Sequence, residues 1–124
     1  LVVLMPLTSE TRGMVDQTLI GKLSRKGPFG APILVNVGRG GLHVEADVIQ
    51  CLRSGALHAA SLDVFETEPL PATSPLWSME NVYVTPHLAA DSDAVTITRY
   101  VLKQIDNHER GRPLDNVIDR RRGY

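Results

Sequence analysis

The stretch of residues 33–41, Ile-Leu-Val-Asn-Val-Gly-Arg-Gly-Gly, constrains the fold of this chain more than any other feature. Residues 33–37 form a short apolar run rich in β-branched side chains, which is typical of a strand buried on both faces. The run ends abruptly at the glycines that flank Arg39. In open parallel sheets, ligands bind just beyond the carboxyl ends of the strands. The stretch alone is compatible either with an arginine that binds an anion there or with a turn that carries a solvated arginine.

Apolar runs alternate with segments of helical periodicity along the 124 residues. The apolar runs that predict strands cover residues 1–5, 33–37, 57–64 and 82–85. The helical patterns cover residues 16–23, 44–54 and 92–110, with Asp16 as a predicted N-cap, and a 3₁₀ turn is expected at residues 76–77. This alternation predicts an α/β fold of about four parallel strands with crossover helices and a long C-terminal helix.

Composition excludes several classes of partner. The 13 basic and 14 acidic residues nearly balance, so no overall field favours nucleic acid or an anionic membrane. No apolar run approaches the roughly 20 residues that a membrane-spanning helix needs. The single cysteine, Cys51, excludes an intrachain disulfide and fits a reducing, cytoplasmic location. It lies on the apolar face of a predicted helix, where we expect a small core residue.

The N-terminus is unusual because residues 1–5, Leu-Val-Val-Leu-Met, already have the composition of a strand interior. We therefore expect the chain to be the C-terminal piece of a longer protein. An apolar edge strand without its neighbours is a site of pairing with other chains. The isolated piece is accordingly expected to self-associate.

Polar residues follow each predicted strand, and the ends of parallel strands share one edge of a sheet. Arg39, Glu68 and His87 are therefore predicted to converge in one crevice. An arginine grips a carboxylate with two parallel N–H bonds, and a histidine transfers a proton near neutral pH. A glutamate on the other imidazole nitrogen fixes the tautomer. Together the three suit proton transfer to a carbonyl beside a carboxylate, although singly His87 fits a loop residue and Glu68 a solvated one.

The remaining histidines, His43, His58 and His108, lack such a setting in the sequence. They show no metal-ligand spacing, and one cysteine provides no zinc motif. No metal site is therefore predicted.

Three longer motifs follow the predicted strands: Val-Asn-Val-Gly-Arg-Gly at 35–40, Leu-Asp-Val-Phe-Glu-Thr-Glu-Pro-Leu at 62–70 and Val-Thr-Pro-His at 84–87. They resemble the C-terminal signatures of the D-isomer-specific 2-hydroxyacid dehydrogenases. The opening motif Met-Pro-Leu-Thr-x-x-Thr-Arg-Gly at 5–13 is similar to that family as well. The tail at 117–124 is similar to that of the glyoxylate/hydroxypyruvate reductase branch. The resemblance implies the C-terminal half of a Rossmann-type doubly wound sheet, with a partial dinucleotide-binding domain at residues 1–110 and a tail at 111–124. It also implies a homodimer for the full-length protein.

The resemblance further implies hydride transfer between NADPH or NADH and a small 2-keto or 2-hydroxy acid. Arg39 would bind the substrate carboxylate and carbonyl, and Glu68 would orient His87, the general acid in reduction. Asp63 matches the residue that holds the nicotinamide carboxamide. The implied cofactor contacts are Pro6, Leu7, Thr8, Val37, Gly38, Arg39, Asp63 and His87, with Gly38 and Gly40 allowing a close approach of the backbone to the ring.

The family's Gly-x-Gly-x-x-Gly phosphate loop does not occur here, and residues 38–41 have the wrong glycine spacing to replace it. The residue that selects NAD or NADP and the substrate-capping domain are also absent, so the chain alone is expected to be inactive. One alternative is a non-catalytic dehydrogenase-like module that senses dinucleotide or scaffolds a partner. Another is a small anion-binding α/β domain that uses residues 38–41 as a backbone nest.

Overall fold

The computed structural model describes residues 1–90 and 92–121 and divides into two compact units, Leu1–Ala89 and Ala90–Tyr124. The first unit holds a four-stranded sheet in the order β1-β2-β3-β4, with every neighbouring pair parallel. Its elements in chain order are β1 (Val2–Val3), α1 (Gln17–Gly21), β2 (Ile33–Asn36), a 3₁₀ helix (Gly40–Leu42), α2 (Glu45–Arg53), β3 (Ala59–Leu62), a 3₁₀ helix (Pro75–Ser78) and β4 (Val82–Val84). The predicted α/β fold with parallel strands is confirmed.

All four strands are shorter than the apolar runs predicted, and β2 and β4 each end one residue early, at Asn36 and Val84. Strand β1 covers only Val2–Val3, rather than residues 1–5. It lies at the sheet edge, and Pro6 has no N–H group to continue a ladder. Strand β3 covers Ala59–Leu62 rather than residues 57–64. The Leu57 N–H instead donates to the Cys51 carbonyl at 3.0 Å, so Leu57 belongs to the connection that leaves α2.

Capping residues set the helix ends close to the predicted positions. The Asp16 side chain accepts a hydrogen bond from the Leu19 N–H at 2.7 Å, which confirms Asp16 as the N-cap of α1. Helix α1 ends at Gly21 rather than at residue 23, because the Leu23 N–H bonds to the Ile20 carbonyl in a tighter turn. Beyond α2, Gly55 has φ +73°, the left-handed conformation that favours glycine after a helix.

The core of the first unit lies mainly on one side of the sheet. Leu34 and Leu62 are fully buried and pack with Val48 and Cys51 of α2, which confirms Cys51 as a core residue. Burial alternates along β2, where Leu34 is buried but Ile33 is only half-buried. The expected burial of this strand on both faces is therefore wrong for this unit, since alternate side chains point to opposite faces.

The second unit contains helix α3 (Ala94–Glu109), which begins two residues later than the predicted residue 92. The Asp93 side chain accepts from the Thr96 N–H at 2.8 Å and so caps the first turn. The helix buries none of its side chains, and Leu102 is 60% exposed. The predicted tail at 111–124 continues into residues 122–124, which lie outside the described residues.

Candidate active site

A cleft of about 650 Å³ opens at the carboxyl ends of the strands in the first unit. It is lined by Leu7, Arg12, Gly13, Arg39, Gly40, Gly41, His43, Val44, Phe65, Glu66, Glu68 and His87. These residues come from the segments that follow β1, β2, β3 and β4 in turn. Arg39, Glu68 and His87 therefore lie around one cleft, as the shared strand edge requires.

Arg39 stands immediately before the 3₁₀ helix in extended conformation, with φ −142° and ψ 145°. Its side chain is exposed, and one guanidinium nitrogen donates to the Gly38 carbonyl at 2.7 Å. The planar guanidinium has further N–H groups, which suit a carboxylate. Arg39 also lies near enough to Glu68 to help lower the pKa of that carboxyl.

Gly40 is where the turn after β2 meets the loop after β3. A Cβ atom at this position would lie 1.8 Å from the carbonyl oxygen of Phe65 and 2.7 Å from the backbone nitrogen of Glu66. Only glycine allows the two backbone segments to touch so closely. The structure thus gives Gly40 a packing requirement, while the proposed approach of its backbone to a nicotinamide ring stays a prediction.

Glu68 and His87 form a hydrogen-bonded pair across the cleft. Nδ1 of His87 lies 2.8 Å from Oε2 of Glu68, and Oε1 accepts the Phe65 N–H at 2.9 Å. The hydrogen bond with His87, followed by that from Phe65, holds the pKa of Glu68 below its usual value. Because an ionised carboxylate only accepts hydrogen bonds, Nδ1 bears the proton and Nε2 is left for exchange with a substrate.

Asp63 supports the backbone on either side of His87 rather than lining the cleft with Arg39. Its carboxylate accepts from Thr85 Oγ1 at 2.5 Å and from the N–H groups of Leu88 and Ala89, each at 2.9 Å. Between these contacts His87 adopts φ +57°, a conformation that is uncommon for a non-glycine residue. Burial alone would raise the pKa of Asp63, but these hydrogen bonds outweigh it and lower the pKa.

A second cavity of about 500 Å³ adjoins the first and shares Glu68 and His87 with it. Asp63 lines this second cavity together with Trp77. The contact between Asp63 and a nicotinamide carboxamide stays a prediction, and Asp63 is only 3% exposed.

Hydrogen bonds of two threonines stabilise the loop after β1. The Thr8 N–H donates to Thr11 Oγ1 at 2.8 Å, and Thr11 Oγ1 in turn donates to the Pro6 carbonyl at 2.8 Å. Only Leu7 of the predicted Pro6-Leu7-Thr8 contact loop lines the cleft. Val37 and Gly38 directly precede Arg39 in the chain and do not line the cleft. Their proposed contacts with a cofactor likewise stay predictions.

The sequence did not single out two residues that the structure places in this region. His43 is 1% exposed, lines the cleft, and its Nδ1 lies 2.8 Å from Nδ2 of Asn36. The expectation that His43 lacks a site setting is therefore wrong. Arg12 also lines the cleft, beside Gly41 and Leu7. The only available sequence signal was their place in the motifs, Arg12 in Thr-Arg-Gly and His43 just beyond Gly-Arg-Gly-Gly.

Among residues 1–90 and 92–121, no group of three or more histidine, cysteine or carboxylate side chains is arranged to hold a metal ion. Within the same residues, no helix combines the length and the apolar character needed to cross a membrane.

An exposed arginine and a carboxylate-bound histidine thus line one cleft at the carboxyl edge of a parallel sheet, where α/β domains bind their ligands. The chain is a member of the D-isomer specific 2-hydroxyacid dehydrogenase family, because residues 1–89 match the NAD binding domain of that family.

Individual relatives are similar to this chain over nearly its whole length. The chain is 41% identical over 124 residues to glyoxylate/hydroxypyruvate reductase A of Klebsiella pneumoniae subsp. pneumoniae, covering all of this chain and 38% of the relative. Its structure is similar to that of the NADPH-dependent glyoxylate/hydroxypyruvate reductase of Sinorhizobium meliloti, solved in complex with NADP and sulfate. The TM-score is 0.97 at 55% identity, covering 99% of this chain and 39% of that chain.

A probable 2-hydroxyacid dehydrogenase of Rhizobium etli, solved with NADP, HEPES and L(+)-tartaric acid, is similar with a TM-score of 0.92 at 51% identity. The match covers 99% of this chain and 39% of that chain. The chain thus spans less than two-fifths of the length of these relatives.

Proposed function

We propose that this chain is the catalytic part of an NAD(P)H-dependent reductase, which converts a small 2-keto acid of the glyoxylate or hydroxypyruvate type into the 2-hydroxy acid. The observation that supports this most directly is the Glu68–His87 pair, 2.8 Å apart, in the cleft that Arg39 also lines. The named reductases among the relatives, and the NADP in two of the similar structures, support it further.

Each of the three residues has a distinct part in the proposed reaction. Arg39 binds the substrate carboxylate through parallel N–H bonds and polarises the neighbouring carbonyl. His87 donates the proton from Nε2 to the carbonyl oxygen as negative charge develops there. Glu68 holds the imidazole by Nδ1 and so fixes its tautomer and orientation.

NADPH or NADH supplies the hydride in this proposal, and the chain fits only the nicotinamide end of that cofactor. The apolar side chains of Leu7, Val44 and Phe65 lie beside Arg39 in the cleft and suit a flat ring. A glycine-rich helix N-terminus for the pyrophosphate does not occur in the sequence. We therefore propose that residues 1–110 are part of a dinucleotide-binding domain, that residues 111–124 are its tail, and that the remaining binding groups lie elsewhere in a complete reductase.

We further propose a cytoplasmic location and a homodimeric complete enzyme. The free Cys51 suits a reducing compartment.

The isolated chain is proposed to self-associate, since Val2 of the edge strand is 61% exposed and Leu4 beside it is 70% exposed. A monodisperse monomer in light scattering at tens of micromolar would contradict self-association.

The experiment is a turnover assay on the complete protein that contains this chain, with glyoxylate or hydroxypyruvate and either NADPH or NADH. We expect His87→Ala to lower the rate of reduction by roughly 10²–10⁴-fold, the usual contribution of a positioned general acid. His58→Ala is the matched control, because His58 is exposed and stacks on Phe29 instead of lining the cleft. Cofactor binding without turnover of either acid would support the dinucleotide-sensing alternative instead.

A further inference from the structure

The turn that presents Arg39 is held by the buried side chain of Asn36, the last residue of β2. Asn36 Oδ1 accepts the Gly38 N–H at 3.0 Å, and Asn36 Nδ2 donates to the Arg39 carbonyl at 3.1 Å. The side chain therefore fixes the backbone on both sides of the peptide between Gly38 and Arg39. Asn36 is completely buried, so water cannot replace these bonds.

The same amide makes a third hydrogen bond, to His43. Nδ2 of Asn36 lies 2.8 Å from Nδ1 of His43, and an amide NH₂ group can only donate. Nδ1 must therefore be the unprotonated nitrogen, and His43 is the neutral tautomer with its proton on Nε2. The Gly38 N–H and the Arg39 carbonyl require this orientation of the amide. His43 in this tautomer supports it by accepting the second N–H of the Asn36 amide.

His43 keeps this role at a cost that an apolar residue would not have. Its Nε2 is buried without a hydrogen-bond partner in the described part of the chain. An unpaired buried donor is unfavourable, because it loses the hydrogen bond that water supplies in the unfolded chain. Burial lowers the pKa of His43, against a smaller opposing effect of Glu66, which keeps the imidazole neutral. A leucine would remove this N–H group but would leave the buried Asn36 N–H without its acceptor.

We propose that His43 is a positioning residue for the substrate-binding arginine: through Nδ1 it anchors the Asn36 amide, and Asn36 holds the backbone that presents Arg39. This inference rests on the proposed function for its kinetic consequences, but not for its structural ones. Although His43 lines the cleft, it is 1% exposed, its Nδ1 is bonded to Asn36 and its Nε2 is inaccessible to solvent, so neither ring nitrogen is available to a substrate.

The structural consequence is tested without any activity, by NMR of the complete protein near neutral pH. Nitrogen chemical shifts should show His43 protonated at Nε2 and unprotonated at Nδ1. The Gly38 amide should exchange slowly, and His43→Leu should accelerate that exchange. A proton on Nδ1 of His43, or unchanged Gly38 exchange in His43→Leu, would overturn the proposal whether or not the protein is a reductase.

The kinetic consequence is tested with a conservative variant and a control. We expect His43→Leu to lower kcat/KM for the keto acid between about tenfold and hundredfold, as a displaced binding group does. The thermal stability of this variant should stay close to that of the parent, because the unpaired Nε2–H is removed while the buried Asn36 N–H loses its acceptor. His43→Asn should recover most of the activity, since its side-chain oxygen can replace Nδ1 as the acceptor. His58→Leu, at an exposed histidine outside the cleft, should leave the kinetics unchanged.

A double-mutant comparison then tests whether His43 acts through Arg39. In an Arg39→Lys background, His43→Leu should cause little further loss of kcat/KM. An equal fold-loss in both backgrounds would overturn the proposal, as would parent-like kinetics of His43→Leu. If His43→Leu does not fold, a folded His43→Asn variant whose kcat/KM falls tenfold or more below that of the parent would overturn it too. A parent protein that reduces no 2-keto acid would refute the proposed function alone and leave the NMR result as the test of His43.

Discussion

The contact between Gly40 and the Phe65 carbonyl makes Gly40→Ala the most decisive single substitution in this chain. The added Cβ would lie 1.8 Å from the carbonyl oxygen and 2.0 Å from the carbonyl carbon of Phe65. The two segments must separate by roughly 1.5 Å before these atoms reach ordinary van der Waals contact. The obstacle is backbone on both sides, so rotation of a side chain cannot relieve the overlap.

Overpacking in a well-packed region typically costs 1–3 kcal/mol, and a collision with backbone belongs at the upper end. We therefore expect Gly40→Ala to destabilise the complete protein by about 3 kcal/mol. This corresponds to a fall in Tm of about 6–12 °C for a domain of 150–250 residues. Activity should fall with it, because the Phe65 N–H holds Glu68 at 2.9 Å and a shift of about 1 Å in a reacting group costs up to 10²-fold in rate.

Two other glycines provide matched controls for this measurement by thermal unfolding and steady-state kinetics. Gly21→Ala adds a Cβ into open space at the end of α1, and we expect a gain of about 0.5 kcal/mol. Gly41→Ala meets only the flexible ends of Arg12 and Leu7, at 3.0 Å, and should have a small effect on stability. A Tm and a kcat/KM of Gly40→Ala that match those of Gly21→Ala would refute the close contact between the two loops.

Other perturbations address the remaining parts of the site. Arg39→Lys in the complete protein should raise KM for the keto acid and lower kcat, because an ammonium lacks the planar fork, whereas Arg53→Lys at the exposed end of α2 should change neither. Asp63→Asn should lower Tm most near neutral pH. The folded-state pKa of Asp63 is depressed, so its stabilisation is present above the unfolded value near 3.9 and is lost as the pH falls through the folded value. A Tm difference between Asp63→Asn and the parent that does not shrink on acidification would contradict this assignment. Residues 1–124 alone should show no glyoxylate-dependent oxidation of NADPH or NADH and only weak binding of either, and micromolar binding or steady turnover would show that the chain holds a phosphate site.

The sequence predicted the fold class because local patterns and topology point in the same direction. Apolar runs that alternate with helical periodicity leave few arrangements other than a parallel sheet. In such a sheet every strand ends at the same edge, so polar residues after successive strands must lie near one another. That is why Arg39, Glu68 and His87 could be placed around one cleft from their positions alone.

Element ends and the burial of surfaces were less predictable, because they depend on partners outside the local pattern. Strand β1 ends after Val3 because it pairs on one side only, although the apolar run continues to Met5. Helix α3 has the periodicity of an amphipathic helix, yet it buries none of its side chains. A hydrophobic pattern shows which face a helix can bury, but not whether another surface covers that face.

Whether a residue of the site could be predicted from the sequence depends on whether it is proposed to react or to hold a reacting residue in place. The residues proposed to do chemistry, Arg39 and His87, are exposed polar side chains just beyond strands, and such residues stand out in a sequence. The residues that hold them, Asn36 and Asp63, are buried at or beside strand ends and bond to backbone groups two to twenty-six positions away. A buried polar residue is tolerated only when its partners are in place, and those partners are defined by turn geometry rather than by residue type. The sequence therefore indicates which groups of this site could react. The buried residues that hold those groups are identified only from the three-dimensional structure of the turns after β2 and β4.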